Sequence, residues 1–191
     1  MSDESDFIAL LTTDPDVRKI NFKFLTYKIY PEGYFRDVAS CIKSGSIKIN
    51  RRFSDLGFGD TGGSYFPAND KYSISKAFDL TKMSNKILLM HESTHALQDY
   101  QRLGKIKRAE GEAVAYVAEA IYGQAKGLAP LSDPATGLPH PIRVAADKAA
   151  KAVLGGKYEV DKALAAAVTV EVARSSHYGS LPPFMDFDGI G

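Results

Sequence analysis

The sequence predicts an α+β fold that is mostly helical: a small antiparallel β region, then two long helices, then further helices toward the C-terminus. Three observations carry this expectation. Apolar residues repeat at helical spacing from about Thr81 to Leu103 and again from Arg108 to Lys126; turn-bounded extended segments precede them between Ile47 and Ile74; and alanine is dense after Ala109, as closely packed helices require. A chain of 191 residues, 45% hydrophobic and 25% charged, is read as one domain over 1–191 whose core needs no disulfide, in keeping with the lone Cys41.

Taken in order, the first forty residues offer a helix start at Asp14-Pro15, although Ile20, Phe22, Phe24, Tyr27 and Ile29 fit a slipped strand almost as well; both readings stay open, with helix the favoured one. Residues 1–14 and 176–191 are expected to be loosely ordered. Tyr34 to Lys43 carries Phe35, Val38, Ala39 and Ile42 at helical spacing, and Ser44-Gly45 stops it. Ile47 and Ile49 alternate with Lys48 and Asn50 as a strand does. Asp55 to Gly63 is loop, and Ser64 to Phe66 and Tyr72 to Ile74 are extended around a Pro67-Ala68-Asn69-Asp70 turn. Of the two long helices, the first stops at Gly104 and the second at Gly127. Leu128 to His140, with three prolines, is a surface connection. Pro141 suits the start of a helix reaching Leu154, Gly155-Gly156 breaks it, and Glu159 to Arg174 forms the last helix before an aperiodic tail from Ser175 to Gly191.

Charge names no partner. With 24 Lys+Arg against 23 Asp+Glu the net charge is +1, so neither nucleic acid nor an anionic membrane is an expected partner. The acidic opening, Met1 to Asp6, is unlike a secretory signal, and no apolar run is long enough to span a bilayer. A cytoplasmic protein is expected, with signal-independent export compatible with the same composition. Oligomeric state is not legible.

His91-Glu92-Ser93-Thr94-His95 is an H-E-x-x-H pattern inside the first long helix. Residues four apart on a helix lie on one face, so both imidazoles can converge on one ion, while Glu92, about 100° round the axis, can reach water there without ligating. The plainer alternative is a helix whose histidines merely pack. Two of the chain's four histidines at ligand spacing, with the correct carboxylate between them, argue against it.

On these residues the chain resembles the zincin metallopeptidases, over the helix His91 to Gln98, the strands before it and the helix after it. Gln98, Asp99, Gln101 and Arg102 stand where the longer metzincin pattern would continue, which excludes that subclass. The next helix opens Arg108-Ala109-Glu110-Gly111-Glu112, similar to the gluzincin arrangement in which a glutamate on the following helix completes a His₂Glu zinc site. Two glutamates compete. Glu110 shares the apolar stripe of Ala113, Val114, Val117 and Ile121, where an unpaired carboxylate is costly unless neutralised; Glu112 shares a face with Tyr116 and Glu119 and sits in a run, Glu112 to Tyr116, similar to that of small bacterial zincin-like proteins. Four residues past the ligand, where gluzincins often carry an acid that supports a ligand histidine, the chain has Tyr116 or Val114.

The resemblance implies a Zn²⁺ cofactor, a peptide or protein substrate, water in an open fourth position, and Glu92 as general base and then acid. A donor for developing negative charge is sought among His177, Tyr116, Tyr178 and Tyr65. The plainer reading of His177 is an exposed tail residue. Gly63 to Ile74 is the extended segment placed to pair with a peptide or simply to cap the core. Asp55 to Gly63 lacks the phosphate-loop lysine and the calcium-loop alternation, and reads as a flexible cleft rim. Two other functions compete: a metal-retaining scaffold that binds partners, and an effector or phage-type protease with one target. The intact Glu92 favours chemistry over the scaffold, because holding a metal does not need it.

Overall fold

Phe7, Leu10 and Leu11 fall on one face of the first helix, α1 (Asp3–Thr13), and that face is buried. The computed structural model describes residues 3–52, 62–129 and 140–191. After a 3₁₀ turn at Val17–Lys19 comes a hairpin, β1 (Phe22–Phe24) and β2 (Tyr27–Ile29), with Phe24 opposite Tyr27. The expectation of helix is corrected here. Phe22 and Phe24 are buried on either side of Lys23, Ile29 is buried opposite Phe22, and Leu25 turns the chain at a φ of 53°, which a right-handed helix cannot accommodate.

The next segment is helical as read: π-helical turns over Gly33–Val38 run into α2 (Ala39–Ser44), and Gly45 ends it at a φ of 81°. Three strands follow, β3 (Lys48–Arg52), β4 (Gly63–Phe66) and β5 (Lys71–Ser75), in the order β3-β5-β4. β4 and β5 are antiparallel across the Pro67–Asn69 turn, but β3 runs parallel to β5, which corrects the purely antiparallel expectation. Burial gives the reason. Tyr72, Ser73 and Ile74 are buried in succession, so β5 takes the central place with a partner on each side, and β3 is left as the parallel edge. The loop and cleft-rim reading of Asp55 to Gly63, for residues 55–61, and the surface connection, for residues 130–139, lie outside the described residues.

The two long helices are α3 (Met83–Tyr100) and α4 (Arg108–Ala125). Between them runs a strand the sequence did not announce, β6 (Gly104–Lys107), paired antiparallel with β7 (Phe184–Phe187) from the tail. The remaining helices are α5 (Pro141–Leu154), α6 (Lys162–Arg174) and the short α7 (Ser176–Gly179); Asp161 caps α6 by accepting from the Ala163 amide at 2.8 Å. α4 packs on α3, α5 and α6, with Ala146, Ala149, Ala150 and Ala165 fully buried, so that small side chains let the helices approach closely. Contacts reach into both terminal segments among the described residues. α1 buries Phe7 and Leu11, and the tail buries Phe187 and donates the Gly189 amide to Asp99 at 3.0 Å. Among the described residues no helix is long and apolar enough to cross a membrane.

Candidate metal centre

Leu89 to Asp99 is buried on every side of α3, so its polar side chains all need partners. Ser93 and Thr94, which face away from the histidines, find theirs in two phenols: Tyr72 donates to Ser93 at 3.1 Å, and the Tyr34 and Thr94 hydroxyls lie 2.8 Å apart. The sheet and the π-helical turns thereby fix the rotation of α3. That rotation sends His91, Glu92 and His95 toward α4 and into an open cleft of about 610 Å³.

On the second turn of α4, Glu112 meets both imidazoles: its Oε2 is 3.3 Å from His91 Nε2 and 3.4 Å from His95 Nε2. All three side chains are buried, and one ligand atom from each lies within 4.8 Å of the others, so the group could hold a metal ion. Glu110 stands outside it. Its carboxylate accepts the Tyr27 hydroxyl at 2.9 Å and lies 3.5 Å from Lys107. Tyr27 of β2 supplies the donor and Lys107 the opposite charge that the helical wheel called for.

Each histidine is held from behind. His91 Nδ1 lies 3.2 Å from Glu119, whose other oxygen accepts from Arg143 Nε at 2.8 Å; His95 Nδ1 lies 2.9 Å from Gln98 Oε1. With each Nδ1 engaged from behind, both Nε2 atoms face Glu112, and each becomes a ligand once it gives up any proton it carries. Glu119 and Gln98 are the residues that sequence reasoning missed. The support expected four residues past the ligand, where Tyr116 stands, comes instead from Glu119, seven past it and two turns along the same face; Gln98 stands three past His95, one turn on.

Charge is concentrated here. Burial opposes a cationic His91, but Glu112 and Glu119 outweigh it and push its pKa up to about 10. Burial would raise Glu112, yet the two histidines hold it well below the carboxylate range. Burial also drives Glu92 upward, against the pull of both histidines and of the Tyr65 amide, which donates to its Oε2 at 2.7 Å. Glu92 lines the cleft beside the three ligand candidates.

Of the candidate donors, Tyr65 contributes its amide rather than its phenol, because its hydroxyl donates to Asp99 at 2.8 Å. Tyr116 sets its ring edge-on to His91, with centroids 4.7 Å apart, and its hydroxyl lies 3.0 Å from that of Tyr178. His177 lines the same cleft one step further along, its ring 4.8 Å from that of Tyr178. The tail closes the other side: Phe187 stacks on His95 at 6.2 Å. A Cβ on Gly111 would come within 3.1 Å of Met185 Sδ and 3.0 Å of Ile106, so the missing side chain is what lets β6 and β7 lie against α4 beside Glu112. Compared with family models, curated proteins and solved structures, the chain matches none of them.

Proposed function

We propose that this protein is a zinc-dependent metallopeptidase of gluzincin type, hydrolysing peptide bonds of a peptide or protein substrate. The observation that carries the reading is a buried glutamate outside the ligand group, Glu92, lining an open cleft beside three convergent ligand atoms. The donor set fits zinc: two imidazole nitrogens and one carboxylate oxygen, each histidine steadied through its other nitrogen. His91, His95 and Glu112 would hold the ion. Zinc bound there supplies Lewis acidity at a substrate carbonyl and lowers the pKa of a water to about 7.

The chain's own residues do the rest. The Tyr65 amide fixes one oxygen of Glu92, so the other is left to take a proton and return it to the leaving amine. Burial by itself favours the protonated form of that carboxyl, the form that donates to the leaving amine. Tyr116 and Tyr178 share one hydrogen bond between two hydroxyls, so one phenolic proton remains for developing negative charge on the substrate. Burial keeps both phenols protonated.

The test is direct. Purified protein is expected to carry about one zinc per chain and to cleave members of a peptide library; Glu92→Gln is expected to keep the zinc and the fold while losing hydrolysis by at least about a hundredfold. Cleavage that persists in Glu92→Gln overturns the mechanism, and absence of any bound divalent metal removes its basis.

A further inference from the structure

The cleft is uneven in its charge. Its acids are committed: Glu92 to the Tyr65 amide, Glu112 to the two histidines, Glu119 to His91 and Arg143. Asp186, on β7, sits opposite Lys105 in the strand register. Arg108 lies on the acidic side, 3.7 Å from Glu112 and donating its Nε to the Pro182 carbonyl; the other donors gather elsewhere. His140 and Arg143 stand one turn apart at the start of α5, and His177 and Tyr178 lie on α7; all four line the cleft.

Contacts join Arg143, Tyr178 and His177 into one wall through Tyr116, and His140 lines the same cleft. The Arg143 guanidinium lies over the Tyr116 ring, 6.0 Å from its centroid; the Tyr116 hydroxyl meets that of Tyr178; and the His177 ring adjoins the Tyr178 ring. Arg143 Nε is fixed by Glu119, and among the described residues its two terminal nitrogens have no hydrogen-bond partner. A guanidinium held by its Nε presents a planar pair of N–H groups, which matches the two oxygens of a carboxylate better than any neutral group.

Resting on the peptidase reading above, we propose that this wall binds a carboxylate of the substrate, either its C-terminal carboxylate or an Asp or Glu side chain near the cleaved bond. Arg143 provides the paired N–H groups, and the imidazoles of His140 and His177 line the cleft around them. The substrate class is then a peptide carrying a negative charge close to the scissile bond, and neutral peptides are poor ligands.

Binding tests this without turnover. Three N-acetylated pentapeptides are titrated calorimetrically into full-length Glu92→Gln protein, zinc-loaded and metal-free: one with a free C-terminus and no acidic side chain, one amidated with a single Glu, and one amidated without any acid. At least one carboxylate peptide is expected to bind about tenfold or more tighter than the neutral one, in both metal states, with the margin shrinking as salt rises. Which peptide gains identifies the source of the carboxylate. Arg143→Gln is expected to erase that margin. Because Arg143 also holds Glu119, the His140→Gln/His177→Gln double variant gives a second reading, a margin reduced severalfold with His91 support untouched. Equal affinity for all three peptides, a preference seen only with zinc bound, or no binding by any of them overturns the proposal. A carboxylate preference in binding, found in a protein whose wild type cleaves nothing, removes the peptidase reading and leaves the anion site standing.

Discussion

At the scale of single residues, the third ligand is the sharpest question, and the environments of the two glutamates answer it differently. Glu112 has His91 and His95 within 3.4 Å of one oxygen, whereas Glu110 is engaged by Tyr27 and Lys107. Glu112→Gln is therefore expected to weaken zinc binding by roughly an order of magnitude or more, and Glu110→Gln to leave it nearly unchanged; a competitive zinc titration of both variants measures the difference. The reverse ranking would move the ligand to Glu110. Glu119→Gln is expected to weaken zinc by about tenfold as well, through the orientation of His91, although its carboxylate is no ligand candidate. His91, Glu92 and His95 were legible because a four-residue helical repeat puts their geometry into the sequence itself. The choice between Glu110 and Glu112 was not, because it is decided by Tyr27, a residue on a hairpin far away along the chain. Glu119 and Gln98 were illegible for a related reason: which of several polar residues on a helix face meets an imidazole depends on how α3 and α4 are rotated against each other.

At the scale of elements, the long helices were readable and the short strands less so. α3, α4 and α5 have apolar periodicity over many turns, with Gly104 and Gly127 just past two of the ends. β6 buries only Ile106, and its partner β7 lies at the far end of the chain, so neither shows a pattern of its own. The same strand pair makes the tail part of the site. Phe187 is fully buried and stacked on His95, and Met185 fills the space that Gly111 leaves. Phe187→Ala is expected to destabilise the protein by about 3 kcal/mol, the cost of emptying a buried aromatic position, read from urea denaturation. It is also expected to weaken zinc binding, since His95 loses the surface that steadies its ring. A destabilisation below about 1 kcal/mol would show that the tail rests on the helices without supporting them.

At the scale of the whole molecule, Asp99 joins three parts that are distant in sequence: the end of α3, strand β4 through the Tyr65 hydroxyl at 2.8 Å, and the tail through the Gly189 amide at 3.0 Å. The joint is charged and costly. Burial pushes the Asp99 carboxyl up to about 6, with the charges of Asp70 and Asp188 adding to it, and the two donors only partly offset the rise. An unfolded aspartate titrates near 3.8. Between about pH 4 and 6, then, the folded chain holds a proton that the unfolded chain has released, so this group's contribution to stability is present in full below that window and is lost as pH rises through 6. Asp99→Asn removes the titration while its other costs, such as a poorer acceptor for Gly189, are the same at every pH. The wild type is therefore expected to gain stability relative to Asp99→Asn as pH falls from 7 to 5. The change is on the order of 1 kcal/mol, the free energy of about one pKa unit over that pH interval. Urea denaturation of both proteins at pH 5, 6 and 7 measures it, and a stability gap that stays constant, or that moves the other way, would show that the carboxylate is ionised throughout and that the tail is held to α3 by its negative charge.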